Sequence, residues 1–257
     1  MPRFAPWIRQ SGVMSTDGWT EAVRHQLGLG RLLPMGGARD GAWLTEAAAR
    51  PVLRQAADTV PGARLGALRI GPVDGAPTEE PGVPPPPSAL WPGPLRIGAE
   101  FAATRLEPFP ALADRLRATL SEAATHRLGL HVTEVDLRIT GVDRPGEASE
   151  AESPASPAAP DSSPAESRPP HEDTPEARAA TAALAVPGVA RLAGAFGGRT
   201  GAVRMDHPAP GRPGHVRLEL AVSPGHRPLE VARAVRQAVS ETLPDRPSVA
   251  VLVTEVG

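Results

Sequence analysis

Along residues 95–142 the spacing of apolar positions changes from two to a helical repeat and back to two. In "LRIGAEF" (95–101), Leu95, Ile97, Ala99 and Phe101 alternate with Arg96 and Glu100, which predicts a half-buried strand. In "ALADRLRATLSEAA" (111–124), Leu112, Leu116, Leu120 and Ala123 share one helical face, with Asp114, Arg115, Arg117 and Ser121 elsewhere. Gly129 closes this helix. "VDLRITGV" (135–142) then turns Val135, Leu137 and Ile139 inward as a second strand.

The same order recurs in the last forty or so residues. "VRLELAV" (216–222) alternates Val216, Leu218, Leu220 and Val222 against Arg217 and Glu219. "LEVARAVRQAVSETL" (229–243) carries Val231, Val235, Val239 and Leu243 on one stripe and ends before Pro244 and Pro247. "VAVLVTEV" (249–256) closes as a strand.

The correspondence reaches individual residues. Ala113, Ser121 and Glu122 have the spacing of Ala232, Ser240 and Glu241. Val135, Leu137, Ile139, Thr140 and Val142 match Val249, Val251, Val253, Thr254 and Val256, while "VPGARL" (60–65) and "VPGVARL" (186–192) precede the two units. The chain therefore reads as a duplicated strand–helix–strand unit with a further strand near each "VPG". The expected class is α+β, each helix covering one face of a small mixed sheet.

Outside the repeat, residues 1–16 precede the patterned sequence, and Met14 is a candidate start. Residues 17–59 are expected to be helical: Thr16 or Asp17 caps "GWTEAVRHQLGL", "LPMGGARDG" breaks it, and 42–60 forms a second helix with Pro51 kinking it or marking an early turn. The first unit spans 60–142 and contains a Pro-rich surface loop at 73–94, with four consecutive prolines at 84–87. Residues 143–180 combine Pro, Ser, Ala and acids, so a disordered linker is expected there, with the second unit at 181–257.

Composition narrows the function classes. The 257 residues carry a formal net charge of −2 and no Cys, excluding disulfides, thiol nucleophiles and thiolate metal sites. All basic side chains are Arg, interleaved with acids. No apolar run is long enough to span a bilayer, and "MPRFAPWIRQSGVM" lacks the apolar segment of a secretory signal, so a cytoplasmic protein without direct membrane insertion is expected.

Candidate chemistry is sparse. "GAFGGRTG" (194–201) falls one position short of a phosphate loop, with Arg199 where Lys is needed, and reads as a turn between strands. The histidines at 25, 126, 131, 171, 207, 215 and 226 form no metal-ligand spacing. No serine has a nucleophile-elbow context, although a spatially assembled Ser–His–Asp group stays open. Asp114, Glu122 and Glu241 lie on polar helix faces. The strands carry only Phe101 as an aromatic platform, which argues against nucleic acid. No catalytic, cofactor-binding or metal-binding residue is assigned, and no cofactor is expected.

The stretch "VPGVARLAG…GGR" followed by "VRLELAVSPGHRPLEVARAVRQAVSETL…VAVLVTEV" resembles the bacterial alkaline shock, or envelope stress response, family. The resemblance covers 183–257 and, more loosely, 60–142. The chain also resembles actinobacterial proteins labelled as a nucleopolyhedrovirus protein family. The first resemblance implies a non-enzymatic scaffold at the cytoplasmic side of the envelope. Its partners would be a small membrane-anchor protein or other family members. An RNA-binding α+β module and an unrecognised hydrolase are the alternatives.

Overall fold

The structure, a computed structural model, describes residues 29–104, 108–143, 174–194, 201–206 and 214–257. The expected helix around 17–28, the expected start at 1–16 and most of the expected linker lie outside the described residues.

Leu32–Met35 (β1) and Ala42–Thr45 (β2) form an antiparallel hairpin. This corrects the helical reading of 42–60: the helix (α1) covers only Glu46–Ala57, with Pro51 inside it. Thr45 decides the boundary, because its extended backbone ends β2 and its hydroxyl accepts the Ala48 amide at 3.1 Å as an N-cap. The strand escaped detection because it is buried on both faces. Ala42 and Leu44 join the main core while Leu32 and Trp43 pack beneath the Pro-rich loop, so no alternation survives.

The first unit continues through β3 (Ala63–Pro72), β4 (Leu95–Thr104), α2 (Phe109–Glu122, extended by a wider π-type turn over Ala123–Leu128) and β5 (Val132–Asp143). Strand β4 pairs antiparallel with β3 and parallel with β5, giving a mixed sheet of order β3-β4-β5. Gly129, at φ +82°, ends the helical run as its spacing predicts.

The second unit begins earlier than the linker reading placed it. Thr174 caps α3 (Pro175–Leu184) with Pro at the first helical position, so 175–180 are helical; Ala179 and Ala183 are fully buried. Then follow β6 (Val189–Leu192), β7 (Val203–Asp206), β8 (His215–Val222), α4 (Pro228–Thr242) and β9 (Ser248–Val256). Both β6 and β7 run antiparallel to β8 on the same edge, at successive stretches, so together they match β3; β8 and β9 are parallel, like β4 and β5.

The duplicated unit is thus α–β–β–α–β. Each "VPG" forms the same turn: Val60 N–H donates to Ala57 O and Val186 N–H to Ala183 O. Gly62 and Gly188 sit at φ +86° and +93°, and their carbonyls accept the Thr104 and Ser223 amides, both at 2.8 Å. Closing strands share a bulge, between Phe101/Ala102 on β4–β5 and Leu220/Ala221 on β8–β9.

The units are not separate beads. Strand β2 pairs parallel with β9, placing the hairpin on the second unit's sheet, in the order β1-β2-β9-β8-β6 with β7 also on β8. The hairpin reaches back through Gly36 N–H, which donates to Gly129 O. Side chains from both units fill one continuous core, including Leu53, Phe101, Leu116, Leu220, Val235 and Val251. On the sheet's other face the Pro-rich loop is seated rather than loose: Val83 is buried against Trp43 and Leu252, and Trp43 Nε1 donates to Leu90 O at 3.1 Å.

Candidate functional site

The two closing strands have unequal surroundings. In the second unit Val249, Val251 and Val253 are at most 2% exposed, because β2 covers the outer edge of β9. In the first unit their counterparts Val135 and Leu137 are only half-buried and Ile139 is 38% exposed; further along, Val142 is 42% exposed where its match Val256 is half-buried. Among the described residues no strand pairs with the outer edge of β5. An edge of twelve residues presenting apolar side chains and main-chain donors and acceptors is a template for another strand.

Arginines guard both edges. Helical spacing places Arg117 of α2 where α4 carries Arg236, and Nε of each donates to the edge carbonyl of its closing strand: Arg117 to Val135 O at 3.3 Å, Arg236 to Val249 O at 2.8 Å. Arg236 also donates through Nη1 to Arg39 O at 2.9 Å and Asp40 O at 2.5 Å, gripping the hairpin turn. One turn away, Arg233 makes a two-pronged contact with Asp40, 2.8 and 3.0 Å. Burial would raise the Asp40 carboxyl, but Arg233, the Gly37 amide and the nearby Arg236 charge outweigh it and hold it below its ordinary value. Burial lowers the Arg236 guanidinium, opposed by Asp40.

Two clefts lie among the described residues. One, of about 200 Å³, lies under Pro86 and Pro87 against Arg204, Arg217, Leu218 and Leu252. Gly201 and Ala202 line it, whereas residues 195–200 of the Gly-rich stretch, Arg199 included, are outside the described residues. The other, of about 250 Å³, lies between the units and gathers His126, Arg127, His226 and Arg227. Arginines from both units do meet here, but in a cleft rather than on a sheet face. Arg127 donates to Gln55, and Arg227 to Thr125 O and Glu230.

Among the described residues a Ser–His contact is present. His215 Nδ1 lies 2.8 Å from Ser248 Oγ, where β8 and β9 pair side by side. Burial, and then the charge of Arg217, hold this imidazole below its ordinary value, with Asp206 opposing. Among the described residues the buried Nε2 has no hydrogen-bond partner, and Asp206 is engaged by Arg217 at 2.8 Å. No carboxylate among the described residues orients the ring, and neither residue lines either cleft.

Other residues considered from sequence fall apart in space. His131, Glu122 and Glu241 are exposed, Asp114 pairs with Arg117 at 2.7 Å, and His25, His171 and His207 lie outside the described residues. Among the described residues no three His, Asp or Glu form a metal-binding group, and no helix is long and apolar enough to cross a membrane. Sequence reading missed the Arg117 and Arg236 pair. Its signal was present, an Arg at the same position of two matched helices.

The class these observations define is a duplicated α+β protein in which, among the described residues, one closing strand is covered and the other is not. Comparison of the chain with protein-family models, curated proteins and solved structures returns no match.

Proposed function

We propose that this chain is a non-enzymatic interaction protein of the envelope, or alkaline, stress type, working at the cytoplasmic side of the envelope through protein partners. The observation that carries the reading is the open apolar edge of β5, beside a matched edge that is covered. Supporting it are the family-like order of each unit and the commitment of most Arg side chains near the edges to internal contacts. The partner class, a small membrane-anchor protein or other family members, comes from the sequence resemblance. A photo-crosslinking amino acid at Ile139, compared with one at exposed Trp91, tests it in cells separated into membrane and soluble fractions. Adducts specific to position 139 with a small membrane protein or a similar α+β protein are expected. Equal yields at both positions sink the reading.

A hydrolase reading has the Ser248–His215 contact in its favour. Ester or amide turnover by the purified chain that disappears in Ser248→Ala would establish it over the interaction reading.

A further inference from the structure

We infer that the outer edge of β5 is a strand-docking site for an extended apolar segment of another polypeptide, entering parallel to β5 and carrying a basic residue that meets Asp114. The inference rests on the interaction reading and specifies its partner. Its warrant is the second unit, which displays the same edge in its occupied form.

There, β2 lies parallel to β9, with Ala42, Trp43 and Leu44 beside Val251, Leu252 and Val253, and Val251 N–H donates to Gly41 O at 3.0 Å. The turn that leads β2 in rests its carbonyls on Arg236 and its Asp40 carboxylate on Arg233. Transferred through the repeat, those strand positions become Leu137, Arg138 and Ile139, and the two arginines become Arg117 and Asp114. Arg117 already holds the edge carbonyl of Val135, as Arg236 holds that of Val249. Arg117 Nη1 bonds instead to Asp114 on its own helix, and no turn among the described residues meets it. The edge-gripping arginine is kept, and the charge beside it is inverted.

The inversion sets the partner's chemistry. Where Arg233 accepts an acidic turn, Asp114, 74% exposed, suits Lys or Arg. Ile139 and Val142 ask for apolar side chains at alternate positions of the incoming strand. This chain does not offer such a segment at the matching place. The residues standing directly ahead of α3, as β2 stands directly ahead of α1, are His171–Glu172–Asp173–Thr174, polar and acidic where the edge of β5 asks for apolar and basic side chains. The matching segment of this chain is therefore unsuited to the edge, which is assigned to another chain.

The hairpin itself supplies a probe. A fluorescent peptide of residues 31–45 with Asp40→Lys, and the same peptide unmodified, are titrated against the full-length chain and followed by anisotropy. Saturable binding of the Asp40→Lys peptide is expected, weakened roughly fivefold or more by Asp114→Arg in the chain. The unmodified peptide should show the reverse preference, and Arg117→Ala should weaken both. Both positions are solvent-facing, and matched thermal melts are run to check that the variants fold. Absence of saturable binding, or affinities that Asp114→Arg leaves unchanged, overturns the inference. If either occurs while position 139 still crosslinks a partner in cells, the interaction reading stands and this docking geometry falls.

Discussion

The carboxylate of Glu46 accepts the amide of Ile70 at 3.1 Å, so the first residue of α1 satisfies a donor on the outer edge of β3. Glu46 is 2% exposed and also meets Arg50 at 3.2 Å. Removing it leaves a buried amide and a guanidinium without their acceptor. Glu46→Ala should cost about 3 kcal/mol and Glu46→Gln about half of that, read as a lower urea midpoint with an unchanged slope.

Asp40 fastens the hairpin to the second unit. Asp40→Ala should cost about 1–2 kcal/mol, discounted because Arg233 is 45% exposed. Its carboxyl is held below the ordinary 3.8, so its contribution is present above that value and is lost as pH falls through the lower folded-state value. Wild type should therefore lose more stability than Asp40→Ala between pH 4 and more acidic conditions.

His215 gives a second, separate pH window. Its folded-state value lies below the ordinary 6.5, so the unfolded chain binds the proton more readily. Stability is full above about 6.5 and declines as pH falls toward the folded-state value. Denaturation midpoints at pH 7.5 and 5.5 should differ less in His215→Gln than in wild type.

Gly129 marks the place where the two units touch. A Cβ there would stand 2.6 Å from Leu229 Cβ, on backbone at φ +82°. Gly129→Ala should cost at least about 2 kcal/mol and lower the melting temperature. Gly75, also at positive φ but facing open space, provides the control: Gly75→Ala should cost only the backbone strain.

Ser248 should prove a structural partner of His215. Ser248→Ala is expected to remove about 1 kcal/mol of stability, with no ester hydrolysis above background in either protein. Turnover in the wild type alone would reverse that assignment.

Much of the fold was legible along the chain. Leu95–Phe101, Val135–Ile139, Val216–Val222 and the two stripes of Leu112–Leu120 and Val231–Val239 have periods that only one element type satisfies, and the structure places those elements there. Thr140 and Thr254, matched from sequence, sit at the same bulge, each donating to a carbonyl of the neighbouring strand, Phe101 and Leu220. The misreadings have local causes. "AWLT" carries no alternation because both its faces are covered, and "LLPM" contains a proline that looks like a breaker. The Ala-rich α3 has a composition close to that of the Pro/Ser/Ala stretch before it; Thr174 and the buried alanines at 179 and 183 were the distinguishing signals.

What the sequence by itself determined is the strand–helix–strand core of each unit, the place where "VPG" precedes it, and that the unit occurs twice. Those features follow from side-chain period, caps and backbone freedom, which act over a few residues. Only the tertiary structure decided that Thr45 would meet Thr254, a separation of 209 positions, and so that β2 would close the edge of β9 while β5 stayed open. Pairing between distant edges depends on which surfaces reach one another once the core has formed, and no local pattern encodes that choice.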